Sequence, residues 1–522
     1  MTLNPGLPTM TERQQDRAEL KRLTRQAVDV DFDGGTLTSD GGMLLLREVD
    51  RRLDLIRRID EAIPDPRHPL YTAHPQAEIL TSRIFGLAAG YEDANDHQYL
   101  RHDAAFQVAA GRTPAQNNYD DEHSPLASPA THSRFENRID ANAIFRLHET
   151  LVDTFLDSFE EPPEEIILDY DATDDTTHGN QDECYFNGFY DSYCFLPLYV
   201  FCGDQILVSY LRPSSVGAAH HSRGVTRLLV KKIRSRWPDV KLILRGDSGF
   251  AIERLMRWCD KNDVGYVFGL QKNNVLNGNI ACEMTRAQIL HSQTGTKQAV
   301  FKWFRYRTQQ TWDRHRWVVG KAEHTDKGAN PRFVVTNLPS DEGIVDATFH
   351  RQRVNGKQVR QMKDAGTLCS PVRHPEEFYR REYCLRGEME NRIKEQQLCL
   401  FADRTSCTRF MANQFRLMLS SFGYVLLDGI RRLGLSETTP DATPETKSDV
   451  KPDVKPDVKR GTKPKTFPPS CSRWRVDTIR LRLLKIAARV RVTSRRVVFH
   501  LASHCPSQGI FKSVLSRLCG SG

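Results

Sequence analysis

Long apolar runs are missing from this 522-residue chain. The longest, Tyr193–Cys202, is about half of the roughly 20 residues that a membrane helix needs, so no span is expected. The first residues, MTLNPGLPTMTERQQDRAEL, hold no apolar h-region, which excludes a secretory signal there. Cysteine pairs in C-x2-C spacing are also absent, although the chain has 12 cysteines. That pattern predicts reduced, individually buried thiols, not a disulfide framework or a zinc ribbon. Cys471, His500, His504 and Cys505 form the nearest metal-like group, and their spacing matches no standard zinc pattern. A cytosolic or nucleoid-associated protein with no membrane partner is the expectation.

What is present is ordinary in amount and uneven in place. Hydrophobic residues make up 39% and charged residues 27%, enough to bury a sizeable core. A chain of this length is expected to form two to four domains. The net charge of +8 is concentrated at one end. Residues 460–522 carry 14 Lys/Arg and one acid, Asp477, whereas the other 459 residues hold 60 basic and 65 acidic side chains. A segment so basic is expected where a polyanion docks; the plainer alternative is a solubilising tail.

Residues 1–27 are polar and predict a disordered N-terminus. From 28 to 160 the pattern is mainly helical: Leu44, Leu45, Val49, Leu53 and Ile56 recur at three- and four-residue steps, as do Ile79, Ile84, Leu87 and Ala88. Ser133 with Glu136 reads as a capping box opening a helix through Ile144 and Leu151. Asp93 and Asp96 read as caps between helices. Near Glu165 the period shortens to 2, and strands are expected at 166–171, 189–202 and 205–212. A helix at 223–236, a strand at 240–246, a helix at 250–261 and a strand at 264–270 follow. This β-β-β-α-β-α-β order predicts an α/β domain over 161–435, an antiparallel meander continued by parallel crossovers. Within it, about 280–375 reads as a β-rich insertion, followed by a long helix from near Phe378. Residues 436–469 contain DVKPDVKPDVK and read as an extended Pro/Lys/Asp linker before the basic C-terminal segment, 470–522. That last segment is either a helix followed by a strand or a hairpin.

Two predicted strands end in acids. ILDYDATDD places Asp169 and Asp171 on one strand face, and LILRGDSGF runs into Asp247 before a helix. Ligands in open α/β sheets lie beyond the carboxyl ends of strands, although such acids are also common turn and cap residues. The third element is YCLRGEMENRIKE. At 100° per residue Tyr383, Arg386, Glu390 and Lys394 fall within an arc of about 80°, with Gln397 beside them. In isolation this is a solvated helix face with a Glu390–Lys394 pair. Trp303, Phe304 and Tyr306 in the insertion read as sheet core, with stacking on a frayed DNA end as the alternative.

The set DATDD, LRGDSGF and Y-x2-R-x3-E, in this order and spacing, resembles the DDE transposases of bacterial insertion sequences, in the branch whose third motif carries Tyr, Arg and Glu. The likeness covers roughly Gly34 to Arg432, including GTLTSDGGMLLLREVDRRL and FMANQFRLML. It implies an RNase H-like catalytic core with a β-rich insertion, a mainly helical N-terminal region that binds DNA ends, and a basic C-terminal segment. It maps the catalytic acids onto Asp171, Asp247 and Glu390, as ligands of two Mg²⁺ ions for which Mn²⁺ substitutes. It gives Tyr383, Arg386 and Lys394 roles on DNA. Relatives often carry Lys seven residues after the Glu, where this chain has Gln397, so the backbone role passes to Lys394. The implied activity is hydrolysis at the element's ends and transfer of the freed 3′-OH to target DNA. The implied partner is double-stranded DNA, held by a homodimer. The competing expectations are a structure-selective RNase H-like nuclease without strand transfer and a non-catalytic DNA-binding descendant.

Overall fold

A computed structural model describes residues 18–23, 26–31, 34–114, 125–338, 349–354, 357–362, 374–435 and 474–520. The linker expected at 436–469 and the nearby Cys471 lie outside the described residues. The chain divides into two compact units, one of residues 1–56, 66–133 and 429–522, the other of 57–65 and 134–428.

The second unit is built on one mixed sheet. Its strands are β1 (Glu165–Ala172), β2 (Leu198–Cys202), β3 (Gln205–Tyr210), β4 (Lys241–Gly246), β5 (Gly265–Leu270), β6 (Gln298–Tyr306), β7 (Arg316–Thr325), β8 (Gly328–Ala329) and β9 (Arg332–Thr336). Their order is β6-β7-β9-β5-β4-β1-β2-β3, with β8 paired to β7. β1, β2 and β3 form an antiparallel meander. β4 and β5 then extend it in parallel from β1, each reached through a helix, as the order of periodicities predicts. The predicted strand at 189–202 is two strands, Ser192–Phe195 and β2, interrupted at Leu196-Pro197, where proline offers no N–H to a ladder. Part of the β-rich insertion joins this sheet: β9 pairs antiparallel with β5, so β6–β9 widen it, while Phe349–Val354 and Lys357–Met362 pair as a separate two-stranded sheet.

Helix α1 (Ala141–Leu156) covers the β3 edge. It opens at Asp140, whose carboxylate accepts from Ala143 N at 2.7 Å. The expected Ser133 capping box is therefore not the start of this helix. Ser133 lies inside a separate helix, Pro129–Asn137, because Pro129 suits a first helical turn four residues earlier. His148 Nε2 on α1 donates to Ser209 O (3.1 Å), and Gln414 Nε2 donates to the same oxygen (3.0 Å). Gln414 Oε1 accepts from Leu211 N, so side chains satisfy backbone groups that an edge strand leaves open. Helices α2 (Ser222–Arg236) and α3 (Glu253–Lys261) are the crossovers. α4 (Ala281–Thr294) precedes β6, and α5 (Gly387–Leu400) and α6 (Phe410–Gly429) close the unit. Phe304 and Tyr306 are buried in the core beside Phe333 and Trp312, which settles them as sheet core. Trp303 packs on Phe378 with ring centroids 4.9 Å apart.

In the first unit the two ends of the chain are woven together. The basic segment forms a short helix at Val476–Ile479, continued to Leu484, then a hairpin of Ala488–Val492 with Val497–Leu501, then a helix Gln508–Cys519. Both sequence alternatives for this segment thus contribute. Leu37–Thr38 adds a third strand to the hairpin. Leu483, Leu484, Val514 and Leu518 are fully buried, and a Cβ at Gly42 would lie 1.7 Å from the Leu483 carbonyl, so only glycine fits there. Arg480 donates to Leu87 O and Ala88 O, capping helix Gln76–Ala89. Asp93 and Asp96 do form a capping box, on a short 3₁₀ turn. Residues Ala18–Leu23 and Gln26–Val30 pair as an antiparallel hairpin, where disorder is expected up to residue 27 and helix beyond it.

His97 and His132 stack at 3.9 Å in the interior of this unit, and both nitrogens of His97 lack hydrogen-bond partners among the described residues. Burial, helped by nearby Arg83, lowers the His97 pKa to about 3. His132 is lowered well below its ordinary value by burial and by His97 and Arg83. The unfolded chain then binds more protons than the folded one below pH 6.5, so stability falls as pH drops from 6.5 toward 3. For His97 alone the loss at pH 5 is about 2 kcal/mol. Denaturant unfolding at pH 7.5 and pH 5 checks this, with His97→Phe expected to reduce the difference.

Candidate active site

Three elements bring carboxylates together. β1 ends with Asp171 facing the same side as its cross-strand neighbour Tyr199 of β2. β4, parallel and adjacent to β1, runs into Asp247, whose Oδ1 accepts from Gly249 N at 2.9 Å and opens a 3₁₀ turn. Glu390 lies in the first turn of α5. Arg386 reaches between two of these acids: its Nη2 is 2.7 Å from Glu390 Oε1 and its Nη1 is 3.6 Å from Asp171 Oδ2. The expected Glu390–Lys394 pair is not formed; Glu390 pairs one turn back, with Arg386.

Electrostatics place the acids in one neighbourhood. Burial pushes the Asp171 carboxyl up to about 7; Arg386 opposes the rise, while the Asp247 and Glu390 charges add to it. Burial works against the Arg386 charge, yet Asp171, Tyr383, Glu390 and Asp247 around it raise its pKa. Tyr383 lies over the end of β5. A Cβ at Gly269 would come within 2.7 Å of its hydroxyl and 3.0 Å of Ser248 N, so glycine permits that approach. Burial raises the Tyr383 phenol, with Arg386 opposing and Asp247 assisting.

The helix bearing these groups is not the uninterrupted one that the sequence predicts. Tyr379–Tyr383 form a π turn and Cys384–Arg386 a 3₁₀ turn before α5 begins at Gly387. Tyr379 is buried against Phe301 and Tyr383, and the wider turn keeps both tyrosines on the sheet while Arg386 swings to the acids. Lys394 is exposed on α5, and no acid pairs with it among the described residues. Gln397 Nε2 donates to Asp174 O at 3.1 Å, tying α5 to the chain just after β1.

Asp169, the near neighbour of Asp171, is engaged elsewhere. Its carboxylate receives Arg245 Nε (2.5 Å) and Nη2 (2.7 Å), and both side chains are buried. Asp169→Ala is expected to destabilise by about 3–5 kcal/mol, because it strands a buried guanidinium; equilibrium unfolding in urea measures it. Asp175, just after β1, is buried. Burial and the charges of Asp403 and Asp174 hold its carboxyl well above the usual range. His178 is exposed.

Tyr190 is the site residue that the sequence reading missed. Burial first, then the charges of Asp174, Asp171 and Asp247, push its phenol up to about 12. The available signal was the aromatic density of YFNGFYDSYCF, residues 185–195, shortly after the first acidic motif.

A divalent cation suits this donor set. All three acids offer hard carboxylate oxygens, and burial, with the Asp247 and Glu390 charges adding to it, keeps Asp171 protonated more readily than an isolated acid. With Arg386 between Asp171 and Glu390, no group of three His, Cys, Asp or Glu among the described residues is arranged to hold a metal ion as it stands.

The family model described as transposase DDE domain group 1 matches residues 20–368, 367–446 and 463–521. The chain belongs to this DDE transposase family. No curated protein matches it. Among solved structures, the piggyBac transposase synaptic complex with hairpin DNA, determined by cryo-EM, is similar at 10% identity and a TM-score of 0.36. That similarity covers 75% of this chain and 74% of the other. No described helix of this DDE family member is long and apolar enough to cross a membrane.

Proposed function

We propose that this protein is a DNA transposase that cleaves the ends of its element by phosphodiester hydrolysis and joins the freed 3′-OH to target DNA. The observation that carries this reading is the Arg386 guanidinium set between Asp171 and Glu390, with the Asp247 charge acting on Asp171. The order β3-β2-β1-β4-β5, with only β2 antiparallel to the strands on its two sides, supports an RNase H-like core.

Asp171, Asp247 and Glu390 would hold two Mg²⁺ ions, with Mn²⁺ as a substitute. The bound ions would supply the positive charge that attacking and leaving oxygens of a phosphodiester need. Arg386 carries a bidentate-capable guanidinium on a half-buried stem, suited to a phosphate once it leaves Glu390. Tyr383 holds that stem against β5, and exposed Lys394 meets backbone phosphate one turn beyond Glu390. The hairpin of Ala488–Val492 and Val497–Leu501 turns Arg489 and Arg491 to solvent while Ala488 and Val490 face inward, which makes it a second backbone contact. A homodimer on two DNA ends completes the proposal.

The test is incubation of the protein with DNA carrying the gene's own flanks, with Mg²⁺ or Mn²⁺. Nicks at the flank boundaries and joined products are expected. Cleavage without joining would instead identify a nuclease. Replacing Arg491, Arg495 and Arg496 with Ser is expected to lower the slope of log affinity against log salt by about 0.9 for every phosphate no longer neutralised. An unchanged slope would reduce the hairpin's charge to a solubilising role.

A further inference from the structure

The aromatic side chains proposed from sequence for stacking are in the core, yet another set is exposed next to the acids. Past Asp171 the ladder of β1 and β2 splays away from the main sheet. Asp175–Thr176 pairs with Ser192–Phe195, which pairs in turn with Tyr185–Asn187. This small sheet begins only four residues beyond Asp171, at most about 13 Å of extended chain. It is fixed to the body: Asn187 Nδ2 donates to Ser214 O (2.9 Å), and Ser214 Oγ donates to Tyr185 O (2.6 Å).

What it presents is unusual for a surface. Phe189 is 86% exposed, Tyr193 61%, Phe186 52% and Tyr185 44%. Phe189 stands at the tip, where its N–H donates to Asn187 Oδ1, with its ring 4.9 Å from Tyr190, edge to face. Phe186 and Tyr193 pair similarly at 5.5 Å. Tyr190 bridges this patch to the carboxylates, whose charges act on its phenol. Exposed apolar surface gathered in one place marks a contact site, and flat rings beside a phosphodiester-cleaving centre suit bases that have left the duplex stack.

We propose that the 185–193 hairpin is a stacking platform for one or two unpaired nucleobases next to the scissile phosphate, with Phe189 as its main ring. This rests on the DNA transposase reading and adds where the bases go. A base in the duplex shows only its edge, so the platform favours DNA whose end is frayed over DNA that is fully paired.

The experiment compares affinities for two versions of the element's end in Ca²⁺, one fully paired and one with two unpaired nucleotides at the cleavage position. The wild-type protein is expected to prefer the unpaired end by about tenfold, a stacking-sized effect. Phe189→Ala should remove most of that preference and leave affinity for paired DNA unchanged, and Phe189→Trp should restore it. Because Phe189 is so exposed, neither change threatens folding. A preference that survives Phe189→Ala and Phe186→Ala together, or one that wild type never shows while binding paired ends well, overturns the platform and leaves the patch to a protein partner. Absence of binding to either DNA by the wild type overturns the transposase reading itself.

Discussion

Asp171→Asn, Asp247→Asn and Glu390→Gln are each expected to lower end cleavage by about a thousandfold or more, while the affinity for end DNA stays near wild type. The three side chains come from β1, from the turn after β4 and from α5, and Arg386 bridges the first and the last of them. Each neutralised acid removes a ligand oxygen and a unit of negative charge, and the remaining two cannot replace it. Folding should survive. Asp171 is already pushed toward its neutral form by burial and by the other two acids, so Asn relieves repulsion in the DNA-free protein. Asp169→Asn makes the contrasting case. It loosens the Arg245 pair, so its loss of activity should follow its loss of stability. Cleavage assays and unfolding curves on the same four proteins separate the two patterns. Full activity in Asp171→Asn would move the first catalytic acid elsewhere.

A chain ending at Glu437 is expected to lose the fold of the first unit outright, not merely a basic tail. The removed residues supply Leu483, Leu484, Ile486, Val514 and Leu518, all buried. At about 1.5–3 kcal/mol for each large apolar side chain, their removal costs on the order of 10 kcal/mol, comparable with the whole stability of a domain. The strand partner of Leu37–Thr38 and the guanidinium that caps Gln76–Ala89 go with them. Limited proteolysis should cut the truncated chain throughout the helical region 34–114 and spare it in the full chain. Resistance of that region after truncation would show that the N-terminal helices fold without the C-terminal segment.

The sheet was legible because its strands and helices alternate in clear periods: residues 165–270 carry β1 to β5 with boundaries close to those expected, except that the strand expected at 189–202 breaks at Pro197. The acids proposed for the site stand out in the sequence because each sits at a strand end or on a helix face within a recognisable motif. Other features were not. The weave of residues 474–520 with residues 34–114 depends on pairs such as Arg480 with Ala88 and Arg52 with Leu518, far apart in sequence, which no local period encodes. The π and 3₁₀ turns before α5 depend on Tyr379 and Tyr383 finding partners on the sheet, so a uniform 100° wheel mistook the partner of Glu390. The Pro129 start hid behind the more familiar Ser133–Glu136 pattern. The exposed rings at 185–193 look like any buried strand until the sheet that would cover them proves to have only three strands.

The central claim is that Asp171, Asp247 and Glu390 act as one cation site. Mn²⁺ uptake by the protein bound to its end DNA, measured by equilibrium dialysis, tests this without reference to turnover. Each of Asp171→Asn, Asp247→Asn and Glu390→Gln should remove at least one Mn²⁺ per chain relative to the wild-type complex. Uptake that stays at the wild-type level in any one of the three, with DNA still bound, would place that residue outside the site.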